Sequence, residues 1–130
     1  MKKILILILA LNTAIVMASS ASKLNEDGSF QVSPKSLELL GVKFFELKSD
    51  GPWVLPKDAI VRIKFTQGVY RRYDGDITFV IVKTLKTDGA YVSIESADLQ
   101  PNDEVAVQGA SFLRLTEADL NSDTVDACAH

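Results

Sequence analysis

The chain has 130 residues, with 14 basic and 17 acidic side chains and a formal net charge of −3. That acidic balance points away from nucleic acid or an anionic membrane as the partner, and a single cysteine excludes a disulfide within the chain. Both methionines, Met1 and Met17, lie in the first twenty residues, Cys128 is near the end and the only histidine is His130, so the body of the chain holds no His, Cys or Met. A buried transition-metal site or a histidine- or cysteine-based catalytic centre in the domain core is therefore excluded.

The N-terminus reads as an export signal. Met1-Lys2-Lys3 is positive, Ile4 to Leu11 is apolar, Asn12 and Thr13 interrupt the run, and Ala18-Ser19-Ser20-Ala21 supplies small residues for a peptidase. The apolar stretch is shorter than the roughly 20 residues needed to span a bilayer. Cleavage near Ala21 is expected, with a mature protein outside the cytoplasmic membrane and, in a Gram-negative source, in the periplasm. Without Lys2 and Lys3 the balance is 12 basic to 17 acidic residues. The remaining length suits one domain with one core.

Residues 22–28 read as a flexible polar leader. Ser29 to Val32 alternates as a short strand does, and Ser33 to Gly41 reads as a short helix with Ser33 as N-cap, Pro34 at the first helical position and Gly41 as the stop. Val42 to Leu47 returns to strand character, and Ser49-Asp50-Gly51-Pro52 is a turn. From Trp53 onward short strands alternate with turns, the pattern of a small barrel or sandwich. Ala59 to Phe65 is one strand, Gln67-Gly68 a turn, and Val69 to Tyr73 a strand closed by a tight hairpin at Asp74-Gly75. Ile77 to Leu85 is expected as the longest and most central strand. Thr87-Asp88-Gly89 is a turn before the strand Ala90 to Ile94, and Leu99 to Asp103 is a loop before the strand Glu104 to Val107. Periodicity leaves Ala110 to Leu120 open between strand and helix, and residues 121–130 read as a disordered acidic tail. The expectation is one all-β domain over residues 29–120, a small barrel or sandwich of short antiparallel strands with one short helix. Trp53 and Tyr70 are placed in its core.

Three segments together carry a resemblance. They are Val54-Leu55-Pro56-Lys57-Asp58-Ala59-Ile60-Val61, then Gly68-Val69-Tyr70-Arg71, then Ala97 through Ala110 with Leu99-Gln100-Pro101-Asn102-Asp103-Glu104-Val105 at its centre. With Leu39-Leu40-Gly41-Val42 ahead of them, their order resembles the C-terminal, membrane-proximal domain of the periplasmic adaptor subunits, or membrane fusion proteins, of tripartite efflux pumps, the heavy-metal branch above all. Ala97-Asp98 and Asn102 stand where that pattern has glycines, and Asn is the mildest such replacement because it tolerates left-handed backbone. The chain carries neither a lipoyl-like pair nor a long helical hairpin, so the resemblance implies a stand-alone membrane-proximal domain. It also implies that the partners are an inner-membrane efflux transporter or a full-length adaptor subunit.

Two groups of residues are candidate sites. Arg62, Lys64, Arg71 and Arg72 fall on consecutive expected strands and are the candidate partner-binding patch for an acidic surface. Asp126, Cys128 and His130 gather carboxylate, thiol and imidazole at the tail, where a metal ion could be held loosely; Cys128 is also the candidate for an intermolecular disulfide in a dimer. No resident cofactor is expected. The functional expectation is a non-enzymatic periplasmic accessory of an efflux system that acts by protein docking. Its alternatives are a periplasmic metal chaperone working through the tail and an envelope module unrelated to efflux.

Overall fold

A computed structural model describes residues 22–129, with side chains through residue 122. The expected export signal and His130 lie outside the described residues. The fold is mostly antiparallel β-structure, as the alternating patterns predict, arranged as a sheet, a second sheet on one of its faces and two helices on the other.

The large sheet runs β1(Ser22–Leu24), β2(Phe30–Val32), β7(Asp76–Ile81), β6(Thr66–Tyr73), β10(Glu104–Gln108) and β3(Lys43–Glu46), in that spatial order. A further strand, β5(Val61–Ile63), pairs with the first part of β6, while β10 pairs with the same strand at Arg71 and Arg72. The small sheet is β4(Trp53–Pro56), β9(Tyr91–Glu95) and β8(Lys83–Asp88), with β9 in the middle. Helix α1(Pro34–Leu39) is capped by Ser33, whose Oγ accepts from Ser36 N, and has Pro34 in its first turn, as expected. Helix α2(Ala110–Ala129) takes up the segment that periodicity left open and continues through the stretch expected to be a disordered tail.

Successive residues of β6 and β10 face opposite ways, and that alternation builds two cores. Val69, Val80 and Val105 meet Trp53, Leu55, Val92 and Ile94 of the small sheet. Tyr70, Ile77 and Ala106 meet Phe30, Leu37 of α1 and Leu113 of α2. Trp53 and Tyr70 are thus both core residues. Each fully buried large side chain contributes roughly 1.5–3 kcal/mol of burial free energy, so both faces of the large sheet stabilise the fold.

Further expectations are corrected, among them the Ala59–Phe65 strand, of which only Val61–Ile63 is strand. The leader is not loose, because Ser22 to Leu24 pairs in register with Phe30 to Val32. The expected Ile77–Leu85 strand is two strands in different sheets: the chain leaves the large sheet after Ile81, turns at the buried Val82, and enters the small sheet at Lys83. The longest strand is β6, which lies beside β7 at the centre of the large sheet. The Gln67-Gly68 turn is also absent; both residues lie inside β6, and the chain reverses three residues earlier at Lys64-Phe65, between the paired Ile63 and Thr66. Gly68 is there for close approach. A Cβ on it would lie 2.5 Å from Phe79 Cζ, since that ring covers the glycine from the next strand. The hairpin at Asp74-Gly75 is as expected, a two-residue turn between Tyr73 and Asp76 with positive φ at both positions.

Candidate docking cleft

Arg71 and Arg72 are neighbours on one strand, so their side chains leave opposite faces of the large sheet. Arg72 lies over the Phe44 ring, 3.9 Å from its centroid, and its Nη2 donates to Glu104 Oε2 at 2.6 Å. Arg71 Nη1 donates to the carbonyl of Asp98 at 2.8 Å and lies 3.9 Å from Asp103 Oδ2. Both guanidinium groups are therefore engaged within the fold, through Arg71 Nη1 and Arg72 Nη2. Arg62, on β5, and Lys64, in the turn after it, are exposed and belong to the other end of β6, since Arg62 is opposite Gln67. At about 3.3 Å per residue, four to five positions along a strand separate the two pairs by roughly 15 Å. The four cations do not form one patch. The structure assigns Arg71 and Arg72 to bracing.

What Arg71 braces is the loop from Ser96 to Asp103, which contains the first half of the third segment of the resemblance. Its turn is closed several times over. Gln100 N donates to the buried Asp103 Oδ2 at 3.0 Å, Asn102 N donates to Leu47 O at 2.6 Å, and Leu47 N donates to Asp103 O at 2.8 Å. Ser96 Oγ donates to Ile81 O at 2.9 Å and accepts from Asp98 N at 3.2 Å. Asn102 adopts φ 77°, the left-handed backbone expected of an asparagine in a glycine position. Leu99 is buried in the core shared with the small sheet, which pins the middle of the loop.

The braced loop is one wall of an open cleft of about 770 Å³. The opposite wall is the Asp50-Gly51-Pro52-Trp53 segment, and the floor is the crossing of the chain from one sheet to the other at Ile81-Val82-Lys83. Trp53 is held there by its indole N–H, which donates to Ser49 O at 2.8 Å. Around the rim Asp50, Glu95 and Asp98 face a single cation, Lys83, whose Nζ lies 3.9 Å from Glu95 Oε1. The result is a shallow recess with one braced wall and an acidic rim, suited to a basic and apolar segment of a protein surface.

The tail candidates Asp126 and Cys128 fall within the span of α2, their side chains outside the described set, and His130 lies beyond it. Among the described residues no three His, Cys, Asp or Glu side chains come together in a way that could hold a metal ion. The cleft escaped the sequence reading because its walls come from segments about 50 residues apart. The one legible signal was the motif around Leu99-Gln100-Pro101-Asn102-Asp103. No protein-family model, curated protein or solved structure matches the chain.

Proposed function

We propose that the chain is a non-enzymatic, exported accessory subunit of an efflux system, adaptor-like in kind, which docks a protein partner in the cleft beside the Ser96–Asp103 loop. The observation that carries this reading is the bracing of that loop. A buried aspartate, an arginine and two backbone bonds to Leu47 hold in one conformation a surface loop that leaves Ala97, Asp98 and Gln100 exposed. Pre-organisation of this kind lowers the ordering cost of association. The resemblance of the same segment to the adaptor membrane-proximal domain supports the choice of partner, an inner-membrane transporter or a full-length adaptor subunit. The acidic rim supports a basic docking segment on that partner.

A photo-cross-linking residue placed at Asp50 or Ala97 in the producing cell tests the reading, with the same residue at Tyr73, on the far hairpin, as control. Capture of a transporter or a full-length adaptor from the cleft positions, and not from Tyr73, is the expected result. If Asp50 and Ala97 capture nothing, or only further copies of this chain, the docking reading is wrong.

A further inference from the structure

The β5–β6 turn presents an aromatic ring to solvent in a way that neither core accounts for. Phe65 is fully exposed, at 102% of its reference surface, on a turn of only two residues. The turn is held in shape: Lys64 sits at φ 56°, and Thr66 Oγ1 donates to Ile63 O at 2.8 Å across its base. Along the same hairpin lie Arg62 and Lys64, both exposed and neither with an ion-pair partner among the described residues.

Beyond Arg62 the same character continues. Val61 packs with Ala110 and Leu113 in one core, so the start of α2 lies alongside β5. Between them runs a groove of about 660 Å³ whose lining includes Lys57, Arg62, Arg114, Phe112 and Leu115, with Asp58 the one acid. Phe112 and Leu115 are exposed apolar side chains. Of the cations, Arg114 shares its charge with Glu117 at 3.7 Å. The chain as a whole is acidic, so its net charge conceals a basic and apolar end.

We propose that the β5–β6 turn and the adjoining start of α2 form a contact site for the surface of an anionic phospholipid bilayer. Phe65 enters the headgroup region, and Arg62 and Lys64 lie against lipid phosphates with Lys57 behind them. A convex tip with an aromatic ring at its apex and long cationic side chains on its shoulders has the form of a lipid contact. The ring gains an apolar environment, and the cations reach outward to the phosphates. A protein pocket for Phe65 would need no such pair of unpaired cations beside it.

The test is vesicle flotation of the full chain as the producing cell processes it. Vesicles of phosphatidylglycerol and phosphatidylcholine in equal parts are compared with vesicles of phosphatidylcholine alone. The chain is expected to float with the anionic vesicles, and about 0.5 M salt is expected to release it. Phe65→Ser is expected to lower that partitioning on the order of tenfold. Replacing Arg62 and Lys64 together by Ser should lower it by roughly fivefold per cation. Tyr73→Ser, at the other exposed hairpin, leaves it unchanged. Circular dichroism of each variant checks that the fold is kept. Equal flotation with both lipid compositions, no flotation at all, or wild-type flotation of Phe65→Ser overturns the proposal. So does a photo-cross-linker at position 65 that captures a protein and no lipid, which would make the tip a protein anchor. None of these results bears on the cleft, which is probed from Asp50 and Ala97.

Discussion

Tyr70 links the large sheet to α2. Its ring is buried between Phe30 and Phe79, at centroid distances of 5.9 Å and 5.5 Å, in edge contacts. Its hydroxyl donates to Glu117 Oε1 at 2.9 Å, which ties the middle of α2 to the centre of β6. Burial first, and then the bond to the Glu117 carboxylate, push the phenol far above its ordinary value of 10.0. The neutral form is thus the one the fold accepts. Above pH 10 an unfolded chain releases this proton and the folded chain keeps it, so the unfolded state binds fewer protons and stability falls as pH rises. Below pH 10 the group contributes no pH dependence. Urea midpoints measured from about pH 8 to about pH 11 should show a decline above pH 10 that is shallower in Tyr70→Phe. The same variant should lose about 1 kcal/mol at neutral pH, where Glu117 loses the phenol as donor and keeps Arg114 at 3.7 Å. Parallel pH profiles for the two proteins would mean that another group controls the alkaline limb.

At the level of elements, the loop from Ser96 to Asp103 shows how a segment without regular structure is kept in one shape. Arg71 reaches it from β6, and Asp103 caps it from within. Arg71→Ala removes the first of these and leaves the buried Asp103 carboxylate without its cation. The amides of Asp98, Gln100 and Asn102 should then exchange with solvent at least tenfold faster, because local opening no longer breaks the Arg71 bond. Amides of β9, paired on both sides in the small sheet, should be unaffected. Hydrogen exchange read by mass spectrometry checks this, and uniform acceleration across both segments would show that Arg71 supports the whole fold and not the loop. Short elements like these were legible where local chemistry decides them. Ser33 with Pro34 announced α1, and Asp74-Gly75 announced its hairpin, because capping and positive φ are properties of a few adjacent residues. They were illegible where a distant partner decides. Gly68 looks like a turn residue until Phe79 is placed over it, and Ile77 to Leu85 looks like one strand because the apolar run Phe79 to Val82 does not show that the chain changes sheets at Val82.

For the molecule as a whole, the large sheet is the common wall of two cores, and this arrangement makes their stabilities inseparable. Val69 and Tyr70 are adjacent in β6 yet belong to different cores, as do Val105 and Ala106 in β10. Loss of either core strips one face of the same strands. Trp53, the only tryptophan, sits in the core next to the small sheet, and the helices cover the other. Thermal melts followed by tryptophan fluorescence and by helical circular dichroism should therefore coincide. Leu113→Ala, at a cost of about 2–5 kcal/mol, should shift both melts together; separation of the two would show that the cores unfold independently. The alternation of apolar and polar residues and the turn chemistry between them were enough to determine an antiparallel, mostly β domain, because a strand's side-chain period and a turn's backbone needs are local. Which strands share a sheet, where the chain crosses between sheets, that Arg71 and Arg72 brace the fold while Arg62 and Lys64 remain free for contact, and that Asp50 and Asp98 border one cleft were decided only by the tertiary structure. These depend on which face of which sheet each residue meets, and residues far apart in the chain set that through packing.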